Sequence, residues 1–180
     1  MTRKTLASAT VILLGALMAP ELSAINMRSF IEAVRRKATV VYVGSVKDVR
    51  FLERTKLSIK ARAVVTVSAV ARGPGARPTE AIVEYSSYDD QTPMLAGGPQ
   101  YQLRPGATVV IFADSFQSTI PPGYLLQGSR EELLERVKGL RDTLKRMSAD
   151  ELKREEIDEQ DRQVQLGLYE KLSGELSRAH

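Results

Sequence analysis

The chain has no cysteine, and its single histidine is the last residue, His180. Without cysteine there can be no disulfide, no thiolate metal site, no cysteine nucleophile and no lipid-modified N-terminal cysteine. A lone terminal histidine excludes histidine-centred catalytic triads and the common zinc sites. Aromatic residues are only 6% of the sequence, which leaves few rings on which single-stranded bases could stack. Phosphate-cradling glycine loops are missing too. Gly73-Pro74-Gly75 lacks the following lysine and helix of such a loop, and Gly97-Gly98-Pro99 reads as a turn. Carboxylate, lysine and serine chemistry is what remains, and no catalytic residue, cofactor or metal is expected.

Long apolar runs are scarce as well. The one exception, residues 6–17, follows Arg3 and Lys4 and precedes small residues ending at Ser23 and Ala24. A positive start, a short apolar middle and a small-residue end describe a secretory signal peptide. The run is shorter than the roughly 20 apolar residues of a membrane span. Cleavage after Ala24 is expected, with Ala19 as the other possible site and retention as an uncleaved anchor as the other outcome. The expected location is the periplasm or the cell exterior. Removing residues 1–24 from the 180 leaves 156, enough for one domain with an appendage. Its stability would have to come from burial alone.

What is present begins with charge. The net charge of +4 conceals an uneven distribution. Residues 25–77 hold twelve bases and three acids, a net +9, whereas residues 150–161 hold seven acids and two bases, a net −5. This fits a basic surface for an anionic partner, or two solvated faces that neutralise each other within the molecule.

Periodicity then divides the chain. Met27, Phe30, Ile31 and Val34 recur at helical spacing over 25–37, with Arg35, Arg36 and Lys37 at the C-terminal end. Residues 39–49 are β-branched and aromatic, with Gly44 marking a bulge or bend. Over 56–72, Leu57, Ile59, Ala61, Ala63, Val65, Val67, Ala69 and Ala71 alternate with mostly polar residues, placing them on one apolar face, and beyond Val64 burial on both faces is expected. A strand of that length is expected to bend around a barrel. Further strands are expected at 79–85, 108–113 and 124–127. The irregular stretch 86–106 is long enough to suggest a functional or mobile loop. Ser129 with Glu132, and Ser148 with Glu151, are capping boxes opening two C-terminal helices. The second runs to about Leu176, polar first and then carrying Val164, Leu168, Tyr169, Leu172 and Leu176. Two arrangements satisfy it: a helix that leaves the domain to dock on a partner, or an antiparallel hairpin with the helix bearing Leu133 to Leu144.

The order of these elements resembles the netrin-like domain, the module shared with tissue inhibitors of metalloproteinases. The likeness rests on Val40-Val41-Tyr42-Val43-Gly44-Ser45-Val46, on Ala61-Arg62-Ala63-Val64-Val65-Thr66-Val67, and on Arg104-Pro105-Gly106 before Val109-Val110-Ile111-Phe112-Ala113. It implies a mainly β fold with flanking helices: a five-stranded OB-like barrel over about 38–128, a short N-terminal helix and two C-terminal helices. The expected division is a signal peptide (1–24), the barrel with its N-terminal helix (25–128) and a helical extension (129–180). The chain would be a cysteine-free divergent member of bacterial type. Inhibitors of this family chelate the protease zinc through an N-terminal cysteine, which is absent here. The mechanism therefore does not carry over.

The expected function is that of an exported, non-catalytic binding module. Its candidate surface comprises Lys56, Lys60, Arg62, Tyr88, Asp89 and Asp90. Partners expected are a protein, or a second copy through the C-terminal helices; nucleic acid is disfavoured. An inhibitor or regulator of an extracellular hydrolase is the alternative, and a carboxylate enzyme using Glu84, Asp89 or Asp90 a further one. Asp89 and Asp90 with Glu84, Tyr85 and Tyr88 could offer oxygen ligands to calcium, but they lack the acid spacing of a calcium loop and also fit an exposed acidic turn.

Overall fold

The structure, a computed structural model, describes residues 31–56, 58–89, 91–92, 100–120 and 124–178. The expected signal peptide, Leu57, Asp90 and His180 lie outside the described residues, as does the start of the N-terminal helix, α1, which is described over 31–37.

Six strands form one curled mixed sheet. They are β1 (Val40–Arg54), β2 (Ile59–Arg72), β3 (Glu80–Ser87), β4 (Thr108–Ala113), β5 (Gln117–Ile120) and β6 (Leu125–Gly128), in spatial order β5-β3-β2-β1-β4-β6. All neighbours are antiparallel except β3 and β5. The mainly β character with flanking helices is as expected. Among the described residues the strand count is six instead of five, because Gln117–Ile120 forms β5. Its only apolar residue, Ile120, is buried, and its ladder is completed by β3, more than thirty residues upstream. A four-residue segment of Gln, Ser and Thr gives no periodicity from which to read that pairing.

The sheet buries both of its faces in part, so there are two apolar layers. Val40, Tyr42, Val46, Ala61, Ala63, Val65, Val83, Tyr85, Val109 and Ile111 fill the interior of the curl. Val41, Val43, Ala69, Val110, Phe112 and Leu126 point the other way, into helices. β1 and β4 are thus covered on both sides, which explains the unbroken apolar runs Val40 to Val43 and Val109 to Ala113.

β2 does not keep one apolar face to its end. Gly44 pairs with Val67 and Val43 with Ala69, so Ser68 is the extra residue of a bulge. Its hydroxyl donates to the Val43 carbonyl at 3.1 Å. The bulge turns the strand over: Ile59, Ala61, Ala63, Val65 and Val67 face inward or toward the ladder core, whereas Ala69 and Ala71 join the helix layer. Gly44 is required there. A Cβ on it would sit 2.5 Å from Val65 Cγ1 and 2.6 Å from the Thr66 carbonyl oxygen. The bend expected at Gly44 is present, with a register shift on its N-terminal side.

Three helices follow the sheet instead of two. α2 (Arg130–Arg146) and α3 (Ala149–Arg154) open on the expected capping boxes of Ser129 with Glu132 and Ser148 with Glu151. The long second helix is broken. Glu156 adopts a left-handed φ of 53°, Ile157 turns into the core, and Asp158 caps α4 (Glu159–Ser177) by accepting the Asp161 N–H at 2.7 Å. Burying both Leu152 and Ile157 requires the turn, and the Asp158 cap was its sequence signal. α2 and α4 form the antiparallel hairpin. Arg130 at the start of α2 donates to the carbonyls of Leu176 and Glu175 at the end of α4, at 2.6 and 2.5 Å. Leu168, Tyr169, Leu172 and Leu176 are buried against α2 and the sheet. Val164 of the same helix, α4, stays exposed. Among the described residues no helix is long and apolar enough to cross a membrane.

Ala63 is fully buried in the interior and Lys60 is exposed on the opposite face. Ala63→Asp is expected to cost several kcal/mol, on the order of the whole stability of a domain; Lys60→Asp should cost less than about 1 kcal/mol. Urea denaturation followed by circular dichroism compares them, and equal losses would contradict this register. The same measurement should find Gly44→Ala destabilised by about 1–3 kcal/mol through overpacking.

Candidate functional site

The helices cover only part of the outer sheet face. Beyond them, β1, β2 and β3 continue as a three-stranded ribbon whose outer face is open to solvent. Cross-strand register builds it in rows: Asp48, Val64 and Ile82; then Arg50, Arg62 and Glu84; then Lys60 and Ser86. Ile82 is exposed and Val64 half-buried, so a small apolar centre sits among charges.

Those charges are paired. Arg62 donates to Glu84 Oε1 from Nε at 3.1 Å and from its terminal nitrogen at 2.6 Å, and Lys60 Nζ lies 2.9 Å from Oε2. These two cations, Arg62 first, hold the Glu84 carboxyl below the usual carboxylate range. Lys47 pairs with Glu80 at 2.5 Å and Arg50 with Asp48 at 2.9 Å. The bases concentrated early in the chain thus meet the acids of β3 and of β1 itself. The acidic segment 150–161 is met from the early part of the chain by Arg36, which donates to the Glu155 carbonyl at 3.1 Å. The face is a patchwork of alternating sign instead of a continuous positive field.

Lys60 and Arg62 therefore come together, around Glu84. Lys56 stands apart in the β1–β2 turn, exposed. Tyr88 is half-buried just past β3, where its carbonyl accepts from Gln102 Nε2 at 3.2 Å. Asp89 is engaged on both oxygens. Arg54 bonds to each of them, and Oδ1 also accepts the N–H groups of Gln91 and Thr92 at 3.0 and 2.9 Å. Arg54 above all, then the two amides, pull this carboxyl down to about 2. The arrangement is a turn locked by an ion pair, and it ties the start of the long loop to the tip of the hairpin. A carboxyl ionised at that pH cannot act as a general acid near neutrality. Among the described residues no group of three His, Cys, Asp or Glu is placed to hold a metal.

The interior of the curl offers phenols and no carboxylate. No Asp or Glu is buried among the described residues. Tyr101 Oη accepts the Leu125 N–H at 3.3 Å, and its ring meets Tyr85 edge-on at 6.3 Å. Burial raises the Tyr85 phenol to about 12 and the Tyr42 phenol higher, so both stay neutral.

One concavity has no counterpart in the sequence reading. An open cleft of about 520 Å³ lies between the segment before β4 and the β6–α2 junction. Gln102, Arg104, Thr108, Gln127 and Ser129 line it with amide, hydroxyl and guanidinium groups. Residues this far apart in sequence carry no shared motif; only the β4–β6 pairing brings them together.

No known family model matches the chain, and no curated protein matches it either.

The Asp89 lock gives a measurable pH dependence. Its folded value lies below the ordinary 3.8, so its stabilisation is complete above about pH 4 and lost as pH falls through about 2. NMR titration of the carboxyl carbon should find the midpoint near 2 in the wild type. In Arg54→Gln the midpoint should return toward the ordinary value, and an unmoved midpoint would rule out Arg54 as the cause.

Proposed function

We propose that this chain is an exported, non-catalytic binding module built on an OB-like barrel of netrin-like type. The β1–β2–β3 meander, β4 beside β1, and the parallel pairing of β3 with the strand after β4 support that scaffold. Export is supported by residues 3–24 of the sequence.

The observation that carries the reading is the divided outer face. Helices α2 and α4 seal one half, while the β2–β3 half leaves Ile82, Lys60 and Arg62 exposed around Val64 and Glu84. A flat face with a small apolar centre and a rim of both signs suits a protein surface of complementary charge pattern. Nucleic acid fits less well. The cations are already paired with carboxylates, and no aromatic side chain stands in these rows.

Affinity capture from the native envelope tests this when wild type is run beside Ile82→Asp and Arg62→Glu. Both side chains are exposed, so unchanged circular dichroism is expected. A protein retained by wild type should be lost from both variants. Identical captured sets would remove this face as the binding surface.

A further inference from the structure

The cleft between the segment before β4 and the β6–α2 junction measures about 520 Å³, a volume within the range of small-molecule sites. Its lining side chains are Gln102, Arg104, Thr108, Gln127 and Ser129, with Ala107 as the one apolar member. Such a wall gives a lipid tail or an aromatic ring little to bury against. Amides and hydroxyls both donate and accept, so they match a ligand that carries hydroxyl groups.

The charge at the cleft is polarised. Arg104 is the only charged residue in the lining. Its side chain is exposed and forms no ion pair or hydrogen bond among the described residues. The opposite end carries a carboxylate. Glu132 lies against Gly128, where an added Cβ would meet Oε2 at 2.6 Å, and that oxygen accepts the Ser129 N–H at 2.8 Å. The N-terminus of α2 is thus already capped by the chain's own carboxylate and is no seat for an anion. A ligand that fits this polarity places one anionic group at Arg104 and neutral groups toward Ser129. A second anionic group would meet Glu132.

We propose that this cleft binds an acidic sugar, a pyranose ring with one carboxylate, held by Arg104 at the carboxylate and by Gln102, Thr108 and Gln127 at the hydroxyls. A guanidinium can take a carboxylate through two parallel hydrogen bonds, which sets orientation as well as adding binding energy. Gln102 is pre-positioned, because its Nε2 donates to the Tyr88 carbonyl at 3.2 Å and leaves Oε1 to accept. Inorganic phosphate, with nearly two charges, is a poorer match to a lone arginine that faces a carboxylate. β6 ends the sheet on the side away from β3, so this site is separate from the β2–β3 face and stands whether or not that face binds a protein.

NMR titration of the isotope-labelled chain with sodium glucuronate tests the proposal, beside glucose, sodium acetate and inorganic phosphate. Glucuronate should shift the amides of Gln102 to Thr108 and of Gln127 to Ser129. Glucose lacks the carboxylate and acetate lacks the ring, so each should bind at least about tenfold more weakly, as should phosphate. Arg104→Gln should reduce glucuronate to the level of glucose, with the wild-type spectral dispersion kept because the side chain is exposed. Thr108→Val, nearly the same in shape, should weaken both sugars and leave acetate unchanged. Unmoved cleft amides at about 50 mM glucuronate, far above the dissociation constant of a specific site, would overturn the proposal. Acetate or phosphate binding as tightly as glucuronate, or an Arg104→Gln chain that binds like wild type, would do the same.

Discussion

The close approach of Gly44 to β2 is the constraint from which the rest of the architecture follows. With no Cβ on Gly44, the Val65 side chain and the Thr66 carbonyl can lie where any other residue would intrude. Beside it, Ser68 is left out of the ladder and bonded back to the Val43 carbonyl. These two residues reverse the faces of β2 and let a single hairpin serve two apolar layers. Tyr42 and Val65 go into the curl, while Val43 and Ala69 go under the helices. Further register shifts along β1 bend the ribbon beyond. Without the bulge, the alternation of β2 would take Ala69 and Ala71 out of the helix layer.

The helix layer closes the other side. α2 and α4 run antiparallel, joined at one end by Arg130 on the last carbonyls of α4. At the margin of this layer Arg72 donates to the carbonyls of Arg36 and Ala38 and to Gln165 Oε1. That side chain links the end of β2, the end of α1 and α4. Arg35 lies 5.6 Å above the Phe112 ring in the same region. Because the helices stop short of the ribbon, half of the outer sheet face stays open. The exposed surfaces are a consequence of where the helix hairpin ends.

Charge illustrates the distance between composition and surface. The excess of bases in residues 25–77 fits either a basic surface or two solvated faces that neutralise each other. In the folded chain Glu80, Glu84 and Asp89, from outside that window, lie against Lys47, Arg62 and Arg54. Antiparallel pairing places residues twenty or more positions apart side by side, so a windowed count cannot see the neutralisation. The same logic applies to Asp89. Its neighbours in sequence suggested an acidic cluster, and its neighbour in space is a guanidinium.

The sequence by itself determined the elements whose signals are local. The capping boxes at Ser129 and Ser148, the bend at Gly44, the alternation of β2 and the double-sided apolar runs of β1 and β4 all follow from backbone and side-chain preferences within a few residues. Only the tertiary structure decided the rest. It showed β5, which has no pattern of its own until β3 supplies a partner, and the bulge that turns Ala69 away from Val67. It also set the break at Glu156, where burial of Leu152 and Ile157 overrides a continuous helix. The hairpin of α2 and α4 was one of two arrangements open to an amphipathic helix, and the sheet beneath it made the choice. Lys60 and Arg62 were legible as a pair on one face, but Glu84 between them was not. In each case the deciding contact joins residues far apart in the chain, where local preference carries no information and packing does.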